Sequence, residues 1–178
     1  MSDSFGEEYF KGRMKVEPKH EIEVRCWINS FGLTKEDTVL DFGCGAGARI
    51  HCFRKEGINA EGVETSEYAR THEIGMAKDH ILEKPSLKKY ELICCVDVLE
   101  HVDDKEAEEI LKKISLIGNK AVIGITFVDN QNFEKDETHI NGKKKEEWKN
   151  MLLKYYKRVY NVPAWFYEAD MYFICVRK

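Results

Sequence analysis

Four groups of residues in this chain have types and spacings that could do chemistry. The first is VLDFGCGAGARI at residues 39–50, an apolar run that ends in the alternating glycines Gly43, Gly45 and Gly47. Glycine tolerates positive φ and lets another molecule come close to the main chain, so such a run between a strand and a helix suits a ligand lying against backbone. The second is a pair of carboxylates around that turn. Asp41 stands just before Gly43, and Glu64 closes the next apolar segment about 20 residues on, where an acid can accept hydrogen bonds from both hydroxyls of a ribose. The third and fourth are histidines: His101 in CVDVLEHV (95–102) and His139 in THINGKKKEEW (138–148). A histidine with a pKa near ~6.5 can take a proton from a hydroxyl nucleophile at neutral pH.

Charge narrows the ligand of the glycine turn. A pyrophosphate favours a helix N-terminus with no carboxylate beside it. Asp41 would repel a phosphate but suits an ammonium or sulfonium. The turn is also GxGxG rather than the GxGxxG of dinucleotide sites. The expected occupant is a zwitterionic nucleoside.

These residues need a scaffold, and the hydrophobic pattern supplies one. Val24, Trp27, Ile28 and Phe31 recur with helical period over 19–31, stopped by Gly32. A strand at 38–42 leads into the glycine turn and a helix over 46–56, closed by Gly57. A second strand at 58–63 precedes Ser66, which reads as the N-cap of another helix. Residues 76–89 are mixed because of Pro85, with a short strand expected near 75–77. YELICCV at 90–96 reads as a strand buried on both faces. A helix at 105–117, through Ala107, Ile110, Leu111 and Ile114, precedes a buried strand at 120–127. Residues 128–142 are polar and long for an idle connection. A helix carrying Trp148, Met151, Leu152 and Tyr155 follows, and strands at 157–162 and 171–177 flank PAWFYEAD. Alternation of strand and helix up to residue 127 predicts a parallel sheet with helices on both faces.

The chain has 178 residues, enough for one domain: an N-terminal helical segment (1–35), a ligand-binding core (36–127) and a loop, helix and strand pair (128–178). Its net charge of −4 offers no basic footprint for a nucleic acid, and Lys143–Lys145 reads as the solvated start of a helix. The opening MSDSFGEEYF lacks the basic and apolar regions of a secretion signal, and the longest apolar runs are strand-sized. The six cysteines form no CxxC pair; adjacent Cys94 and Cys95 would face opposite sides of a strand. They read as reduced thiols in a cytoplasmic protein, and no zinc site is expected.

DFGCGAG, GVETS and CVDVLEHV, in that order and spacing, resemble class I S-adenosylmethionine-dependent methyltransferases of the small-molecule type, over about residues 36–127. The resemblance implies a Rossmann-like, seven-stranded, mostly parallel sheet whose last strand is antiparallel. S-adenosylmethionine is then the cofactor and S-adenosylhomocysteine the product. Gly43, Cys44 and Gly45 would lie under the methionine part, Asp41 near its amino group, and Glu64 on the ribose. Thr65 would add a sugar contact, Asp79 would meet the adenine amino group, and Val96, Asp97 and Val98 would line the methionine pocket. The segment EEYFKGRM (7–14) resembles a lid in which Tyr9 and Phe10 close the pocket and Arg13 pairs the methionine carboxylate.

Each assignment has a plainer rival. Asp41 alternatively caps the turn, Glu64 is a solvated strand end, Thr65 and Ser66 cap the helix, and Asp79 sits on the surface; residues 7–14 are alternatively a frayed end. His101 either organises its loop or serves as a base. His139 either faces the acceptor or solvent. Some quinone-biosynthesis O-methyltransferases hold a divalent metal in the segment of Asp97, Glu100 and His101, but one helical turn is a poor cage and no metal is assigned. Trp165 and Phe166 read as core or lid packing. The expected reaction is methyl transfer to a small-molecule or sugar-like acceptor at oxygen; the oligomeric state is open, with a monomer favoured. Acceptor contacts are expected from the N-terminal segment, 128–142 and 163–169. RNA or protein N-methylation and a non-catalytic binding module are the alternatives.

Overall fold

The computed structural model describes residues 5–163 and 171–177. Seven strands form a mostly parallel sheet of order β3-β2-β1-β4-β5-β7-β6. The chain divides into two compact units, residues 1–87 and 88–178.

In the first unit, helix α1 (Glu7–Phe10) precedes α2 (Pro18–Phe31), which starts at a proline and stops at Gly32. Proline suits that first turn because its missing N–H would have no helical partner there. The apolar stripe of α2 buries Val24 and Trp27, and Trp27 stacks on Phe53 with ring centroids 6.3 Å apart. Strand β1 (Thr38–Phe42) pairs in parallel with β2 (Asn59–Val63), Asp41 lying opposite Gly62. Between them α3 (Ala48–Lys55) returns the chain and packs on both α2 and β2. The link between α2 and α3 is ionic as well as apolar. Arg49 Nε lies 3.0 Å from the carboxylate of Glu23, a side chain with no solvent exposure.

Ser66 caps α4 (Glu67–Thr71) as expected, its Oγ accepting from the Ala69 amide at 3.3 Å. The short strand expected near 75–77 is instead a 3-10 turn at Gly75–Ala77. Strand β3 comes later, at Ile81–Leu82, paired with Gly62 and Val63 of β2. Gly75 has φ +52, incompatible with a strand, and its backbone is pressed against the His51 ring.

In the second unit, β4 (Tyr90–Val96) runs parallel to β5 (Gly118–Ile125). Both Cys94 and Cys95 are buried, as a strand covered on both faces requires. Helix α5 (Asp104–Ile117) is capped by Asp103, whose Oδ1 accepts from the Glu106 amide at 2.9 Å. It buries Ala107, Ile110, Leu111 and Ile114, the positions its sequence period selects. Helix α6 (Lys145–Tyr155) carries fully buried Trp148 and leads without a loop into β6 (Tyr156–Pro163). The last strand, β7 (Met171–Arg177), is antiparallel to both β6 and β5. Trp165, Phe166 and most of the 163–169 segment lie outside the described residues.

Among the described residues, no helix is long and apolar enough to cross a membrane. All six cysteines are free thiols.

Candidate active site

The glycine turn occupies the junction between β1 and α3. Gly43, Gly45 and Gly47 all have positive φ, at 73°, 54° and 88°. Two of them also meet close neighbours. A Cβ on Gly47 would lie 2.4 Å from the Ala77 Cβ, and one on Gly45 would lie 3.3 Å from the Phe10 ring. The turn is therefore both left-handed and packed against other chain segments, which leaves glycine as the residue that fits. The Gly43 and Cys44 amides donate to the Val63 carbonyl at 2.8 and 3.1 Å, tying the turn to the end of β2.

Glu64 completes that tie. One carboxylate oxygen, Oε2, accepts from the Gly45 amide at 2.9 Å, and the other, Oε1, accepts from the Ser66 amide at 2.8 Å. The side chain is 8% exposed. A carboxylate has about four lone-pair sites, so these bonds still leave it able to accept from ligand hydroxyls. Asp41, on β1, is more deeply buried still. The field of the two acids is visible in Cys44: burial first, then the charges of Asp41 and Glu64, push its thiol well above the usual range. An anion would meet that negative field at the turn; a cation is favoured there.

The other predicted residues of the first unit are dispersed. Thr65 is exposed, with Oγ1 3.5 Å from Glu64 Oε1. Asp79 is exposed too, in a left-handed conformation (φ 65°), with its amide donating to Glu73 at 2.8 Å. Phe10 is buried over the glycine turn, while the Arg13 guanidinium lies 4.1 Å above the Tyr9 ring. The Phe5 carbonyl accepts from Ser66 Oγ at 2.7 Å. The N-terminal segment is thus seated on the turn and on the start of α4.

In the second unit, β4 ends at buried Val96, and Asp97 turns the chain at φ 56° with its amide donating to Gly124 at 3.1 Å. Left-handed aspartate is uncommon, and this one diverts the chain from the strand end through Val98 into a 3-10 turn at Leu99–His101. The turn is locked from two sides. Buried Glu100 accepts the Thr126 amide through Oε1 at 2.8 Å, and its carbonyl accepts the Ile140 and Asn141 amides at 2.9 and 3.0 Å. Those last two bonds bring the polar stretch after β5 onto the 3-10 turn. Val128 and Lys143 close the base of that stretch through a backbone bond of 3.1 Å.

The two histidines thereby meet. The rings of His101 and His139 have centroids 4.7 Å apart. His139 Nδ1 lies 2.8 Å from the Phe133 carbonyl. His101 Nδ1 lies 2.8 Å from Thr138 Oγ1 and 3.3 Å from the Thr138 carbonyl. Glu100, His101 and His139 each offer one ligand atom, all within 4.8 Å of one another, so among the described residues this set, rather than Asp97, Glu100 and His101, is the one able to gather around a cation. The sequence left unnoticed the roles of Thr138 and Asp136; no local pattern marks them.

A family model described as a methyltransferase domain matches residues 19–138. Among curated relatives, the chain is 29% identical to a ubiquinone biosynthesis O-methyltransferase of Hydrogenovibrio crunogenus, over 44% of the chain and 37% of that protein. It is likewise 29% identical to a protein of the same name from Paraburkholderia phytofirmans, over 52% of the chain and 46% of that protein. The chain spans less than half the length of these relatives. The fold is that of magnesium protoporphyrin IX methyltransferase from Synechocystis PCC 6803, solved with bound SAH: TM-score 0.75, 17% identity, 99% of this chain and 97% of that one. A SAM-dependent methyltransferase from Archaeoglobus fulgidus matches with TM-score 0.70 and 18% identity, covering 95% of this chain and 99% of that one.

Proposed function

The chain belongs to the methyltransferase-domain family, and from that premise we propose that it methylates an oxygen of a small-molecule acceptor with S-adenosylmethionine as donor. The observation that carries this reading is the glycine turn held between two buried carboxylates, Asp41 and Glu64. That donor set fits a cationic nucleoside. S-adenosylmethionine supplies an electrophilic methyl: the acceptor oxygen forms a bond to it as the sulfonium–methyl bond breaks, with the electron pair staying on sulfur.

In this reading Gly43, Cys44 and Gly45 carry the methionine part, Asp41 its ammonium group and Glu64 the ribose hydroxyls. Thr65 and Asp79 serve the sugar and adenine ends, and Val96, Asp97 and Val98 the methionine pocket. Arg13 leaves the Tyr9 ring to pair the methionine carboxylate. The histidine pair takes the acceptor's proton, His101 and His139 being the candidate bases. Names of the curated relatives support an oxygen acceptor. The free thiols suit a reducing cytoplasm, and the net charge of −4 suits a small substrate better than a nucleic acid.

The test is transfer of label. Incubated with methyl-labelled S-adenosylmethionine and a metabolite extract, the protein should place label on an oxygen of a small molecule. Cofactor binding with no transferred label would refute the catalytic reading.

A further inference from the structure

We propose that Asp136 is a positioning residue: acting through the Thr138 hydroxyl, it holds His101 as the Nδ1–H tautomer, so that Nε2 is the nitrogen able to accept a proton. This rests on the methyl-transfer reading and says which nitrogen receives the proton lost by the acceptor hydroxyl.

Thr138 Oγ1 lies 2.5 Å from Asp136 Oδ1 and 2.8 Å from His101 Nδ1. A hydroxyl has one proton to give, and an ionised carboxylate only accepts. The Thr138 proton therefore goes to Asp136, and Oγ1 faces His101 with a lone pair. The second group facing Nδ1, the Thr138 carbonyl at 3.3 Å, is also an acceptor. With two acceptors in front of it, Nδ1 must carry the hydrogen, and in the neutral ring the lone pair then belongs to Nε2.

Asp136 decides the outcome because threonine could otherwise do the reverse. With the carboxylate gone, the Thr138 hydroxyl is able to donate to Nδ1 and move the ring proton to Nε2. Asp136 also accepts the Thr138 amide at 3.0 Å, which fixes the hydroxyl where the histidine meets it. The chain carboxylate–hydroxyl–imidazole is the logic of a base oriented by a third group, with a threonine inserted between acid and histidine. His139 provides an internal contrast: its Nδ1 faces the Phe133 carbonyl, so it holds the same tautomer without an acid behind it.

The test uses the whole chain with ring-15N-labelled histidine and needs neither cofactor nor acceptor. At a pH where the imidazoles are neutral, nitrogen–proton correlation spectra should show His101 as Nδ1–H by about tenfold or more, the ratio given by ~1.4 kcal/mol. Asp136→Ala should move His101 towards Nε2–H. Adding Thr138→Val, which removes the hydroxyl from that contact, should restore Nδ1–H, and Asp136→Asn, whose Oδ1 still accepts, should keep it. A wild-type ring in the Nε2–H form would overturn the proposal whatever the variants do. So would an Asp136→Ala spectrum with His101 unchanged. Cofactor binding is measured separately, so failure here leaves the methyl-transfer reading standing, and loss of that reading leaves the tautomer measurable.

Discussion

Glu64 accepts a hydrogen bond from the backbone amide of Gly45 at 2.9 Å, so the acid at the end of β2 and the glycine turn after β1 form one rigid feature. Its second oxygen accepts the Ser66 amide. Glu64→Gln is the informative change, because an amide NH₂ must then face one of those two N–H donors. Leaving one buried donor unsatisfied costs about 1–3 kcal/mol. The expected outcome is a loss of that size in denaturant unfolding, together with weaker S-adenosylmethionine binding by calorimetry.

The same negative field predicts thiol behaviour. Burial, Asp41 and Glu64 hold the Cys44 thiol protonated, and Cys52 is pushed up to about 11, mainly by burial. The thiolate is the reactive form. In native protein near pH 8, iodoacetamide should label exposed Cys26 first and leave Cys44 and Cys52 unmodified, as read by peptide mass spectrometry. Prompt labelling of Cys44 would contradict the electrostatics assigned to the turn.

His20 makes stability depend on pH. Its Nδ1 accepts the Glu17 amide at 3.1 Å at the start of α2, which requires the neutral ring. Burial, helped by the Arg49 charge, lowers its pKa from 6.5 to about 4. Between those values the unfolded chain binds more protons than the folded one, so this contribution is intact above pH 6.5 and is lost as pH falls towards 4. Thermal unfolding midpoints should drop over that window, and His20→Gln should flatten the slope.

The buried ion pair behind the glycine turn should be costly to break. Glu23 has no exposure and Arg49 only 12%. Removing one partner of a buried ion pair typically costs about 3–5 kcal/mol. Glu23→Ala should lose stability of that order in urea unfolding, while replacing the exposed pair of Lys55 and Glu21 should leave the unfolding midpoint nearly unchanged.

Much of this architecture is legible in the residues themselves, and the exceptions have physical causes. Helix α5 and strand β4 carry long, regular apolar periods, so their positions follow from pattern alone. Strand β3 has two residues, too few for any period; its pairing with Gly62 and Val63 exists because β2 presents an edge there. The glycine turn announces itself locally, but the bond from Gly45 to Glu64 does not, since it joins segments that only β-pairing brings together. The histidine cluster is the clearest case. His101 and His139 each stand out as candidates, yet their contact depends on the Ile140 and Asn141 amides finding the Glu100 carbonyl. Thr138 contacts His101 across 37 residues of sequence, and no spacing rule reaches that far.

Binding of the cationic nucleoside is the measurement on which the account turns. Calorimetric titration should show S-adenosylmethionine bound by the wild-type protein and weakened tenfold or more, on the order of 1.4 kcal/mol, in Asp41→Ala. Nicotinamide and flavin nucleotides should give no heat. Unchanged affinity in Asp41→Ala, or uptake of a dinucleotide in place of the sulfonium compound, would contradict it.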